Sequence, residues 1–158
     1  MLPEVSRQMG LGQARLHHVG VVVESIERAA PFWTVHLGMR PMTVAVHDPI
    51  QKVNVQFFAS VSDQASVELV EPAADDSPVL NALKQGGGLN HVCFEVESLD
   101  HCLAAARSNR GIIVVPPVPA TAFDNRLISF VFFQGVGLVE LLQAEKRVNS
   151  NSTPVSQI

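Results

Sequence analysis

The chain has 158 residues, 47% hydrophobic and 16% charged, with a net charge of −4. That length and composition suit one compact domain or two small fused modules with a substantial core. No Lys/Arg cluster is present and no apolar run approaches the roughly 18–20 residues of a membrane span, so neither nucleic acid nor a membrane is an expected partner.

The N-terminal segment MLPEVSRQMGLGQAR lacks the apolar centre of a secretory signal. Cys93 and Cys102 lie nine apart without zinc-motif spacing and are expected as free thiols in a reducing cytoplasm. Residues 1–14 are read as a tail. The apolar, β-branched run 16–23 predicts a strand buried on both faces. Ser25 is a helix cap, and the helix is expected to run to about Leu37 and stop at Gly38. Pro31 inside it should kink the helix or delay its start. Strands are predicted over 40–47, 52–59 and 65–71, the last two joined by the hairpin segment SVSDQAS. In the connector 73–88, Asp76 or Ser77 reads as an N-cap and Pro78 as the first helical residue, with Gly86, Gly87 and Gly88 as the linker. A strand over 89–96 follows, then a helix capped by Ser98 and ending near Ser108. Strands near 112–115, 127–134 and 137–143 complete the series, QGVG being the last turn. The polar segment from Arg147 belongs to a C-terminal tail over 145–158 and is expected to fray.

The chain also repeats itself. LHHVGVVVESIE at 16–27 matches LNHVCFEVESLD at 89–100, which pairs His18 with His91. Val67-Glu68-Leu69-Val70 matches Val139-Glu140-Leu141-Leu142. Two modules, 15–72 and 89–144, therefore each put a His on an early strand and a Glu on a late one. Side chains alternate along a strand, so Glu68 shares a face with Val70 while Val67 and Leu69 point away. Both carboxylates interrupt otherwise apolar strands, where a lone buried charge is costly and needs a cation or hydrogen-bonding partners. Two imidazoles and two carboxylates at equivalent positions suit a divalent metal ion. His17 faces away from His18 in this pattern. His36, His47 and His101 have no repeat partner and are not expected as ligands. Phe57, Phe130 and Phe132 are expected in the core.

HVGVVVESIERAAPFW, VELVEPAADDSPV, LNHVCFEVESLD and GLVELLQ together resemble the vicinal oxygen chelate superfamily, which includes glyoxalase I, methylmalonyl-CoA epimerase, extradiol dioxygenases and antibiotic-resistance proteins. The resemblance covers about residues 15–144. It implies an α+β fold in which two βαβββ modules curl an eight-stranded mixed sheet, an open barrel, around one divalent ion of the cobalt, nickel, zinc or manganese kind. His18, Glu68, His91 and Glu140 fall on the metal positions. The connector and the L-x-H-V-x-F-E-V strand look most like methylmalonyl-CoA epimerase, and the ligand set is similar to that of glyoxalase I as well.

The function this implies is a metal-dependent isomerase or epimerase that abstracts a proton next to the carbonyl of a small acyl thioester, such as a CoA ester. Glu140 is the first candidate base and Glu68 the second. Epimerases of this type carry a further Glu where this chain has Val55, and the nearest acid is Asp48. Asn125 and Arg126 resemble an epimerase pair and are candidate substrate contacts. A glyoxalase I-like lyase, an iron-dependent extradiol dioxygenase and a metal-free antibiotic-binding protein remain alternatives. Glu68 as a fourth ligand and the single Trp argue against the last two. The family implies a homodimer, which suits the apolar composition.

Overall fold

The computed structural model describes residues 14–62 and 66–145. The tail from Arg147, most of 1–14 and the centre of the SVSDQAS loop lie outside the described residues. The first module runs β1 (Arg15–Val22), α1 (Ile26–Pro31), a π-helical turn (Phe32–His36), β2 (Arg40–Pro41), β3 (Val46–Asp48), β4 (Val53–Ala59) and β5 (Ser66–Pro72). After α2 (Leu80–Lys84) the second runs β6 (Gly88–Val96), α3 (Leu99–Ser108), β7 (Ile112–Ala120), a 3-10 turn (Thr121–Phe123), β8 (Arg126–Phe133) and β9 (Gly137–Gln143).

The strands form one open mixed sheet in the order β2-β4-β5-β1-β6-β9-β8-β7, with β3 also on β4. Within each module the first and last strands pair in parallel, β1 with β5 and β6 with β9. The modules join through the antiparallel β1–β6 ladder. The fold is the expected one, with nine strands among the described residues instead of eight. The predicted strand 40–47 is split into β2 and β3. Pro41 has no N–H for the ladder. Beyond it, Thr43 replaces ladder bonds with its own atoms: its Oγ1 accepts from Phe57 N at 3.1 Å and its carbonyl accepts from Gln56 Nε2 at 2.8 Å.

Three other boundaries moved for local reasons. Pro31 does not delay α1. The chain instead widens into the π-helical turn directly after it, since the proline cannot donate the next helical bond. Strand β7 runs to Ala120, past the expected end at 115, through Pro116, Pro117 and Pro119. It is an edge strand, where missing N–H groups cost little. The connector helix begins at Leu80, because 74–77 closes a turn of its own, Ser77 N donating to Ala74 O at 3.0 Å.

Alternation sorts the core into two faces. Leu69 points outward and packs with Ile26 of α1 and Phe58. Val131 and Leu141 pack likewise against Leu99, Leu103 and Ala106 of α3. The opposite, concave face holds Val22, Val55, Phe57, Val70, Phe123, Ile128 and Leu142. Both helices start from repeat-equivalent anchors. Ser25 Oγ accepts from Arg28 N and Glu71 from Ile26 N at 2.7 Å; Ser98 Oγ accepts from His101 N and Gln143 from Leu99 N at 2.9 Å. Phe132, expected in the core, is 41% exposed, since it pairs with Ile112 at the start of the edge strand.

Candidate metal centre

The four central strands carry one candidate ligand each, at matched levels. In the ladders Gly20 lies beside Glu68 on one side and His91 on the other. Its repeat equivalent Cys93 lies between Glu140 and His18. His18, Glu68, His91 and Glu140 are all buried on the concave face, and one donor atom from each falls within 4.8 Å of the others. His18 Nε2 is 3.2 Å from both Glu68 Oε2 and Glu140 Oε2. His91 Nε2 is 3.3 and 3.4 Å from the same oxygens, and the two Nε2 atoms are 3.3 Å apart. Donors around an ion at bonds of about 2.1 Å sit roughly 3.0–3.4 Å from their neighbours, so these spacings match what one ion held by the four residues would need.

Two observations fit a cation to this cage. Glu140 Oε2 is buried and has no hydrogen-bond partner among the described residues. Each imidazole already uses its Nδ1 elsewhere, on His17 Nδ1 at 2.9 Å and on Asn90 Oδ1 at 3.0 Å. Asn90 Oδ1 can only accept, so His91 Nδ1–H donates to it and the Nε2 of His91 faces the carboxylate oxygens, as does the Nε2 of His18. Without a cation, protons must take up this charge. Burial alone would lower the His91 pKa, but the Glu140 and Glu68 carboxylates override it and hold it at about 9. Burial alone would raise that of Glu140, but His18 and His91 hold it at about 2. His18 is raised and Glu68 lowered by the same contest.

Aromatic rings fix the imidazoles. His18 stacks on Phe123 and meets Phe57 edge-on, and His91 meets Phe130 edge-on, with centroids 5.2–5.9 Å apart. A cavity of about 400 Å³ opens beside Glu68, His91 and Glu140, walled by Val53, Val55, Val70, Val118, Phe123 and Phe130. Such a volume suits a small organic ligand. Lys52 and Asp76 pair at its rim.

Val55 is a buried wall residue, so no carboxylate stands at that position. Asp48 also borders the cavity, but it is saturated: Ile50 N and Gln51 N donate to Oδ1 at 2.9 Å and Thr121 N to Oδ2 at 3.0 Å. It ties the turn after β3 to the 3-10 turn. Arg126 is not brought to this cavity. It donates to Glu95 at 2.8 Å, which Arg15 also pairs with, and its guanidinium lies 5.7 Å from the centroid of Phe123. It lines a separate open basin with Arg15, His17 and Glu95. Asn125 is exposed in the turn before β8, at φ 61°. His47 donates to Asn54 Oδ1, and neither it, His36 nor His101 joins the cluster.

His17 is the residue that alternation misplaced. The β1–β6 ladder slips by one residue between Leu16 and His18, and this bulge turns His17 toward its neighbour instead of away. His17 is held below its ordinary pKa by burial and by His18. His17, His18 and Cys93 also bring donor atoms together. Burial, with the neighbouring Glu140, pushes the Cys93 thiol far up, so without a metal ion it stays protonated.

Paired βαβββ modules around two His and two Glu define an architecture built by duplication. The chain belongs to the Glyoxalase/Bleomycin resistance protein/Dioxygenase superfamily, whose family model matches residues 17–130. It is 35% identical over 118 residues to the uncharacterized protein YqjC of Bacillus subtilis, covering 74% of this chain and 81% of that one. It is 34% identical over 88 residues to human mitochondrial methylmalonyl-CoA epimerase, covering 54% of this chain and 48% of the epimerase, so the match spans about half of that relative. Among solved structures it superposes on methylmalonyl-CoA epimerase of Mycobacterium tuberculosis with a TM-score of 0.72 at 25% identity, covering 83% and 88% of the two chains. No helix among the described residues is long and apolar enough to cross a membrane.

Proposed function

We propose that the protein is a metal-dependent isomerase or epimerase that moves a proton at the carbon next to the carbonyl of a small acyl thioester. The observation that carries this is the His18–Glu68–His91–Glu140 cage opening onto an apolar cavity with two carboxylates at its wall. The likeness to methylmalonyl-CoA epimerases supports the thioester class. A divalent ion held by the four residues would supply Lewis-acid stabilisation of the enolate oxygen. The protein's own groups do the rest. Val53, Val55, Val70 and Phe130 exclude water from the acyl group. Glu140 takes the α-proton, and Glu68, in the form of the enzyme in which it carries a proton, gives that proton to the opposite face, so that the two carboxyls exchange roles for the reverse reaction.

The base usual in epimerases has no counterpart at Val55, which favours proton transfer by the two cage carboxylates. That division of labour also suits the hemithioacetal chemistry of a glyoxalase-type lyase. Four converging donors leave an iron dioxygenase less room for substrate and oxygen than a site of three. The reading includes cytoplasmic operation as a homodimer.

The test is solvent-deuterium exchange at the α-carbon of 2-methylacyl and 2-hydroxyacyl thioesters by protein loaded with cobalt or zinc. Exchange that disappears on chelation is expected. Stoichiometric metal with no exchange on either substrate would overturn the isomerase reading.

A further inference from the structure

The β1–β6 ladder contains two one-residue slips, one between Leu16 and His18 and one between Gly20 and Val21. The extra residue is His17 on β1 in the first and Asn90 on β6 in the second, because Gly20 faces His91 while Val21 faces Leu89. These two residues stand at the same place in the repeat, each directly before a candidate ligand. A bulge re-aims the side chain of its extra residue. Both are re-aimed at the same atom: His17 Nδ1 lies 2.9 Å from His18 Nδ1, and Asn90 Oδ1 lies 3.0 Å from His91 Nδ1.

We propose that His17 and Asn90 are positioning residues that set the tautomer and ring angle of the two ligand imidazoles, through a pair of bulges duplicated with the modules. The inference rests on reading the cage as a metal centre. An amide oxygen can only accept, so His91 Nδ1–H donates to Asn90 and its Nε2 is left as the free lone pair. The same arrangement holds in the first module when His18 Nδ1–H donates to the bare Nδ1 of His17. Both rings then present Nε2 to the cage, as the distances among the Nε2 and carboxylate atoms require. The His17 ring is itself held edge-on against Phe123, with centroids 5.4 Å apart. His17 and Asn90 differ chemically but supply the same thing, an acceptor at Nδ1.

The experiment compares zinc affinity by competition with a chromogenic chelator in the parent, His17→Phe, His17→Asn and Asn90→Leu, with melting of the metal-free proteins as the folding control. Removing a partner of this kind typically costs about 10–100-fold in metal affinity. His17→Phe and Asn90→Leu are expected to lose affinity in that range, and His17→Asn, which restores an acceptor, to recover most of it. Nitrogen-15 NMR of the zinc-loaded parent should show Nδ1–H on both ligand imidazoles. Folded Phe and Leu variants that bind zinc as tightly as the parent would overturn the proposal. So would a His17→Asn variant as weak as His17→Phe, which would make the effect one of packing. A parent that binds no zinc would sink the metal-centre reading itself, and this inference with it.

Discussion

The imidazole of His91 occupies the space that a side chain on Gly20 would need. A Cβ built on Gly20 would sit 2.0 Å from His91 Cε1 and 2.4 Å from both ring nitrogens. The two residues face each other across the β1–β6 ladder, so the absence of a side chain on one strand makes room for the ligand of the other. Gly20→Ala is therefore expected to displace the ring, at the 1–3 kcal/mol typical of overpacking, about that much in stability. Chemical denaturation and zinc titration of the variant should show both losses together; unchanged zinc affinity would mean that the ring has somewhere else to go.

Glu140 is the carboxylate whose loss should damage turnover most. Glu140→Gln keeps a ligating oxygen and removes the basic one. A fall of about 10²–10⁴ in α-proton exchange is expected with metal content largely retained. If the variant exchanges as fast as the parent, the base is Glu68, and Glu68→Gln becomes the informative protein.

The Glu95 carboxyl titrates between two guanidinium groups. Burial works against its ionisation, but Arg126 and Arg15 outweigh this and hold its pKa below the ordinary 4.5. A carboxylate depressed in the folded state contributes stability above its unfolded pKa and loses it as pH falls through the folded value. Melting temperatures followed from about pH 7 down to pH 3 should fall less steeply in Glu95→Gln than in the parent. Parallel curves would show that the Arg15–Glu95–Arg126 group is too solvated to matter.

Helix anchoring is duplicated along with the site. Glu71→Ala and Gln143→Ala each remove the side-chain acceptor of a first-turn N–H, of Ile26 and of Leu99. A loss of about 1 kcal/mol is expected from each, read from urea unfolding. The two should add in the double variant, because the helices sit in separate packing clusters. Strong non-additivity would mean that the two helix starts are energetically coupled across the β1–β6 seam.

The amino-acid sequence by itself determined the duplication, the βαβββ order and the residues of the cage. These are written in periodicities that need no third dimension: two for the strands, and 72 or 73 for the repeat that pairs His18 with His91 and Glu68 with Glu140. Tertiary structure decided what depends on how strands register against one another. Alternation sends His17 away from His18, yet the one-residue slip opposite Phe94 and Cys93 brings it back. Nothing in the sequence marks Gly20 as room for an imidazole until β6 is laid beside it. Arg126 carries the chemistry of an anion contact, and only the fold shows that Glu95 has taken it. Local pattern settles which face a side chain prefers, whereas ladder register and neighbouring charge settle which atom it meets.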